Sequence, residues 1–482
     1  CWYRYHHLFA DLLEQRLRRK QGDLVPELHR RACQWFANNG FKNEAVDHAL
    51  VAQDYARAAR LIEKIAEIEW DRARESRLLQ WVKKLPDEQI ETNPTLCIFY
   101  ARELFNNGYP EDAEAKLQAA EQILESTSIS DVNQGKLQGR IAVIRAYICA
   151  RTGDISRTIH CSNQALKLLP QKDLMWRSVA ATTLGIGYGW SGAGDLVKAQ
   201  QAYSEAMKIS QAAGNIFYNI FAGIGLMAVM QLRCQFKKAR DICQHLLRLA
   251  DENGLSETEL TGSLYANLGM ILCEWNDLDE GIRLINKGID LNKQGRDPVI
   301  LASCRINLLR ALVYRMDFVG AFGVFEKLNE STREFSLPPW ITNMIAAINV
   351  HIWLANGNLS AVAQWAKEKG LSVENKLTNL REPEHTALAH FLIAQGQLDD
   401  ADRFLQRLIE NATAGDRGIM MIEMRLMRAL IFKAKQDTAA AMAELKLALT
   451  LAEPGGPLMM FVSKGKPVAE LLEEILAAKK RD

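Results

Sequence analysis

The sequence predicts an all-α fold, a right-handed superhelical solenoid of antiparallel helix pairs, and three observations carry that prediction. First, a turn signal of the kind seen in Gly153-Asp154, Gly194-Asp195 and Gly396-Gln397 recurs through the chain. Its second residue falls at Asp154, Asp195, Gln235, Asp277, Asp317, Asn358, Gln397 and Asp437. The interval is roughly 40 residues, within the range of stacked helical repeats. Second, the next residue is apolar at Ile155, Leu196, Phe236, Leu278, Phe318, Leu359 and Leu398, with Thr438 the exception. Third, the fourth residue on is small at Ala199, Ala239, Gly281, Ala321, Ala401 and Ala441, with Thr158 and Val362 departing. A polar turn reverses the chain, and a small side chain lets the second helix approach the first closely.

Taken in order, residues 40–137 carry irregular versions of this unit. VAQDYARAARLIE offers Asp54-Tyr55 with Ala58, and NNGYPEDAEAKL offers Gly108-Tyr109-Pro110 with Ala113. Residues 138–452 form the regular array, and residues 453–482 a C-terminal capping helix and the start of a linker. Ser126–Gln134, Ser331–Pro339 and Ala412–Gly418 are rich in turn formers and read as longer inter-repeat loops, because the array continues in phase across them. The unit from Ser263 to Leu291 resembles a tetratricopeptide repeat. Tyr265, Leu268-Gly269 and Leu272 stand on its first helix, and Ile285 and Gly288 on its second. Gly187 fills the same glycine site in an earlier repeat, while Ala146, Met227, Leu309, Val350, Ala389 and Ala429 fill it elsewhere, so the repeat is degenerate.

Composition narrows the function classes. With 59 Lys+Arg against 58 Asp+Glu the net charge is +1, and no global basic field exists to hold nucleic acid. The nine cysteines are odd in number and lack C-x-x-C spacing. They read as reduced thiols packed as small hydrophobes in the cytoplasm. No apolar run is long enough for a membrane span. The string Gly185, Gly187, Gly189, Gly192, Gly194 lies inside a helix and turn rather than after a strand, so close helix packing outweighs phosphate binding. Neither His385/His390 nor His6/His7 has the spacing of two metal ligands on one helical face, so no metal site is expected. No catalytic constellation stands out, which argues against an enzyme.

Both ends point to one family. Trp2–Leu17, WYRYHHLFADLLEQRL, resembles the segment that closes the winged-helix region in MalT-like regulators of the LuxR family, which places residues 1–39 at the end of that region. Gly455–Leu476, GGPLMMFVSKGKPVAELLEEIL, resembles the segment that ends their helical sensor region. The resemblance implies an inducer-sensing, protein-contacting part of a transcription activator, cut from a longer protein. It further implies an ATPase module upstream and a DNA-binding helix-turn-helix downstream, with self-association of the whole. No G-x-x-x-x-G-K-[ST] motif occurs here, so no cofactor is expected for these residues and ATP belongs to the upstream module. Contact with DNA belongs to the downstream one.

The remaining information lies in the concave face. One column, seven residues before each turn position, reads Tyr147, Tyr188, Ala228, Met270, Arg310, His351, His390 and Leu430. Tyr, Arg and His suit a wet recognition surface better than a solenoid core. With Tyr314 alongside, the candidate ligand-binding residues are Tyr147, Tyr188, Arg310, Tyr314, His351 and His390, for a polar small-molecule inducer such as a sugar, or a regulatory protein. Arg140, Arg151, Gln231 and Glu274 are inner-face neighbours. Trp190, Trp275 and Trp353 read as core, and Lys237-Lys238 and Arg403-Arg407 as a solvated outer face. The alternative is a scaffold whose groove binds only peptides or proteins.

Overall fold

A computed structural model describes residues 7–68, 77–126, 131–189, 193–293, 295, 297–335, 337–453 and 455–479. Cys1, Trp190, Gly192, His6 and the first residues of the WYRYH run lie outside these. Among the described residues the regular structure is helical, with no strand.

The chain divides into two compact units, one of residues 1–148 and 164–173, the other of residues 149–163 and 174–482. The first holds α1 (His7–Gln21), α2 (Val25–Asn38), α3 (Lys42–Val51), α4 (Tyr55–Ile68), α5 (Leu78–Val82), α6 (Asp87–Glu91), α7 (Pro94–Asn106), α8 (Pro110–Ser126) and most of α9 (Asp131–Thr152). Its core draws on Leu96, Phe99, Leu117, Leu124 and Ile141, all buried. The end of α10 (Ile155–Leu168) also belongs to it, and Leu169 packs against Gly139.

The second unit holds the regular pairs. They are α11 (Leu174–Tyr188) with α12 (Leu196–Ala212), α13 (Ile216–Leu232) with α14 (Phe236–Glu252), α15 (Glu259–Glu274) with α16 (Leu278–Asn292), and α17 (Pro298–Tyr314) with α18 (Phe318–Glu334). Next come α19 (Pro339–Ala355) with α20 (Leu359–Glu368), α21 (Glu382–Ala394) with α22 (Leu398–Ala414), and α23 (Gly418–Ala434) with α24 (Thr438–Ala452). The short α25 (Met459–Val462) and α26 (Lys466–Lys479) close the chain.

The recurring turn has a physical reason at each of its two residues. The first takes a left-handed backbone, at Gly153, Gly194, Gly357 and Gly396 but also at Cys234, Asn276, Met316 and Gln436, with φ between 61° and 87°. That conformation ends a helix by letting the next amide turn back onto its last carbonyls, as Gln235 does onto Met230 and Asp277 onto Leu272, and it favours glycine. The second residue caps the next helix: the Asp195, Asp317, Asn358 and Asp437 side chains accept the backbone N–H of the third residue on.

The α15/α16 pair shows what the small residues do. A Cβ on Gly269 would stand 2.4 Å from the Gly281 carbonyl oxygen, and one on Gly288 would stand 2.4 Å from that of Gly262. Two helices therefore cross almost backbone to backbone. The glycine string of α11 behaves alike, with the Tyr203 ring against Gly185 and Ile159 against Gly187. Gly185 and Gly187 thus serve packing, and Gly194 the turn. Among the described residues, eight cysteines, Cys33 to Cys304, are buried. Lys237, Lys238 and Arg403 face solvent, whereas Arg407 turns inward and donates to the Val373 and Asn375 carbonyls.

Within the second unit, turns also meet segments far along the chain. Asn379 donates to the Ala193 carbonyl, Arg233 pairs with Asp416, and the Trp275 indole donates to the Gly455 carbonyl, at separations of 186, 183 and 180 residues. Gly153 likewise lies against Pro339. Such a regular offset, about four and a half repeats of this length, means that successive superhelical turns of this unit lie edge to edge along a seam.

Candidate functional site

The inner faces of α15, α17, α19, α21 and α23 bring four of the sequence-predicted residues into two linked groups. Glu274, the last residue of α15, is 1% exposed. Its Oε1 accepts from Arg310 Nη2 at 2.9 Å and from the Tyr314 hydroxyl at 3.0 Å. Arg310 and Tyr314 both come from α17, one helical turn apart, which is why they reach the same carboxylate. Glu274 Oε2 is buried with no hydrogen-bond partner. Burial pushes the Glu274 carboxyl above its ordinary range, against the pull of Arg310 and Tyr314. The Arg310 side chain keeps 43% of its surface open to water, so it remains accessible while it holds Glu274.

The second group is His351 of α19 and His390 of α21, whose rings meet edge to face at 4.7 Å between centroids. His390 Nε2 lies 3.7 Å from Glu423 Oε1, on α23. Burial holds both imidazoles below their usual range, and the His390 ring adds to this at His351. Glu423 moves the other way: burial opposes its charge, but His390 and Lys464 outweigh it and hold the carboxyl well below the usual carboxylate range. At neutral pH the lumen therefore presents neutral histidines beside an ionised glutamate. Glu423 also acts electrostatically on Glu274 and Arg310, which ties the two groups together.

Two predicted residues are engaged elsewhere. The Tyr188 ring lies 5.4 Å from Lys198 Nζ within its own repeat. Tyr147 belongs to the first unit, where its ring meets Phe105 edge to face at 5.6 Å. Of the inner-face neighbours, Arg140 is buried in an ion pair with Asp173, at 3.3 Å, and Gln231 reaches Asn267 at 3.4 Å. Arg151 pairs with Asp297. Trp353 packs against the core, as expected, while Trp275 is half-buried and serves the seam.

Sequence reasoning missed Glu423 and Lys464. Glu423 stands seven residues before Leu430, on the same face of α23, so a column of one position per repeat skips it. Lys464 follows α25, outside the repeat, and carries no periodic signal. Among the described residues, no group of three His, Cys, Asp or Glu is placed to hold a metal ion. No helix among them is long and apolar enough to cross a membrane.

A helical-repeat solenoid with a mixed-charge inner face is a binding architecture, and comparison with known proteins narrows it. The profile of the MalT-like TPR region matches residues 139–478, and the chain belongs to that family. It is 23% identical over 480 residues to the HTH-type transcriptional regulator MalT of Serratia proteamaculans (strain 568), covering 98% of this chain and 52% of the relative. The chain thus spans about half the length of that regulator. Among solved structures, a Rap protein complexed with competence and sporulation factor is similar at 12% identity and a TM-score of 0.46, over 86% of this chain and 97% of that one. Yeast Tom70 is similar at 11% identity and a TM-score of 0.35, over 96% and 100%.

Proposed function

We propose that this chain is the inducer-sensing and protein-contacting region of a MalT-like transcription regulator, without catalytic activity of its own. A small polar inducer binds on the inner faces around Glu274, Arg310, Tyr314, His351, His390 and Glu423, and the bound state is relayed to ATPase and DNA-binding modules. The observation that carries this reading is the buried, unpartnered Glu274 Oε2 beside the accessible Arg310 side chain. An unsatisfied buried oxygen costs about 1–3 kcal/mol, which a ligand donor recovers, and the guanidinium supplies matching donors to an acceptor on the same ligand.

The test is a thermal-shift screen of the chain against sugars, nucleotides and other metabolites. A ligand at 100 times its dissociation constant adds about 2.7 kcal/mol to stability. At least one chemical class should raise the melting temperature of the parent and fail to raise that of Arg310→Ala. Shifts that survive in Arg310→Ala for every hit would move the site off this face. A scaffold that takes only peptides or proteins would show no small-molecule shift at all.

A further inference from the structure

The named hydrogen bonds across the seam of the second unit are polar contacts at the turns. Arg417, 2% exposed, donates through Nε to Glu382 at 3.1 Å and through Nη1 to the Gly194 carbonyl at 3.3 Å, and it also contacts Asn411. The Leu196 amide donates to the Gly415 carbonyl at 3.3 Å. Asn379 reaches the Ala193 carbonyl at 2.6 Å, Arg233 Nε reaches Asp416 at 2.6 Å, and the Trp275 indole reaches Gly455 at 3.0 Å. Within repeats, by contrast, the helices meet through apolar cores such as Ile285, Leu309 and Phe325. A stack of repeats holds together through its neighbour interfaces and does not need a seam to remain folded. The buried ion pair with Glu382 of the neighbouring repeat contributes little net stability, but it fixes the Arg417 guanidinium where Nη1 meets the Gly194 carbonyl across the seam.

The same seam sets the candidate ligand site. Glu274 lies on α15 in one superhelical turn, directly before the Trp275 stitch, whereas Glu423 and Lys464 come from the next turn. The short α25 packs on α15, with Met459, Met460 and Phe461 buried. Parting the turns would draw Glu423 and Lys464 away from Glu274 and Arg310.

We infer that the seam is a clasp: its closing assembles the ligand site from two superhelical turns, and a ligand bridging that site holds the clasp shut. This rests on the proposed site, and it gives the site its regulation. By linkage, whatever favours the closed seam raises ligand affinity by the same factor as the ligand favours closure. Arg310 pairs with Glu274 in one turn and feels the Glu423 charge from the next, so its removal withdraws the cation that both carboxylates act on.

The Leu196 amide reports the clasp, because its acceptor lies across the seam. Hydrogen exchange of the segment 193–199 is measured by mass spectrometry on the full chain, with small-angle scattering and far-UV circular dichroism alongside. In Arg417→Ala, and in the milder Asp416→Ala, exchange there should rise tenfold or more and the maximum dimension should grow, with helix content unchanged. Arg310→Ala, which removes none of the hydrogen bonds named across the seam, should speed the same exchange at least threefold. Unchanged exchange in Arg417→Ala and Asp416→Ala overturns the clasp, as does loss of protection throughout α11–α24 in Asp416→Ala. Unchanged exchange in Arg310→Ala overturns its coupling to the site. None of these readings needs a ligand, so a failed inducer screen leaves the clasp standing and removes only the site.

Discussion

Gly269→Ala tests the repeat register at its tightest point. The new Cβ would stand 2.4 Å from the Gly281 carbonyl oxygen, 2.8 Å from Ile285 Cγ1 and 3.0 Å from the Ile285 amide nitrogen. An ordinary carbon contact begins near 3.4 Å, so α15 and α16 must part by about 1 Å, and the nearest atom is backbone that has no rotamer to change. Parting them also loosens the Gly262/Gly288 approach on the same crossing. Overpacking of this kind costs about 1–3 kcal/mol. Replacing a helical glycine by alanine returns up to about 1 kcal/mol of propensity. The net expectation is a loss of about 1–2 kcal/mol. Gly323→Ala on α18 is the control, because a Cβ there meets nothing within 4 Å, and it should gain up to about 1 kcal/mol from propensity alone. The assay is urea denaturation, paired with hydrogen exchange of α15 and α16, since a repeat array can open locally. If Gly269→Ala were neutral or stabilising like the control, the close crossing and the register that predicts it would both be wrong.

Further outcomes follow from other residues. Met316 is 73% exposed and holds a left-handed backbone with φ 62°, which costs a non-glycine residue about 1–2 kcal/mol, so Met316→Gly should raise the urea midpoint; a lowered midpoint would contradict the strain. His385 is fully buried with neither ring nitrogen hydrogen-bonded, and burial, with Arg381 adding to it, pushes its pKa down to about 4. A base whose folded pKa lies below its unfolded value of about 6.5 stabilises fully above that value and loses the contribution as pH falls towards the folded one. Stability should therefore drop between about pH 6.5 and 4, by at most about 3 kcal/mol from this group. His385→Leu should flatten that slope, and an unchanged slope would assign it elsewhere. Burial pushes the Cys243 and Cys304 thiols up to about 12, so both should resist a thiol reagent until the chain unfolds; fast native labelling would refute their packing. Calorimetry should detect no micromolar ATP binding, because no phosphate-cradling loop is encoded in the chain.

The fold was legible because its repeat writes one physical requirement at a fixed spacing. Asp195, Asp317 and Asp437 announce helix starts, and the small residue four positions on marks each close crossing. The left-handed turn position was half hidden, since Cys234, Asn276, Met316 and Gln436 take the conformation without being glycine. Of the candidate site, Arg310, Tyr314, His351 and His390 were legible as polar residues on faces where a core needs apolar ones. Tyr147 and Tyr188 share that column, but Phe105 and Lys198 engage them within their own units. The seam was not legible. Its partners lie 180–186 residues apart and follow from how far the superhelix rotates per repeat, which no local pattern records.

The most direct measurement of the central claim is a calorimetric titration of the ligand found by thermal shift into the parent chain, Arg310→Ala and His351→Ala, each with helix content verified beforehand. Both side chains keep surface open to water although neighbouring helices crowd them, so folding should survive and affinity should fall by about 1 kcal/mol or more for each, roughly fivefold or greater. Undiminished affinity in both variants would contradict the inner-face sensing site.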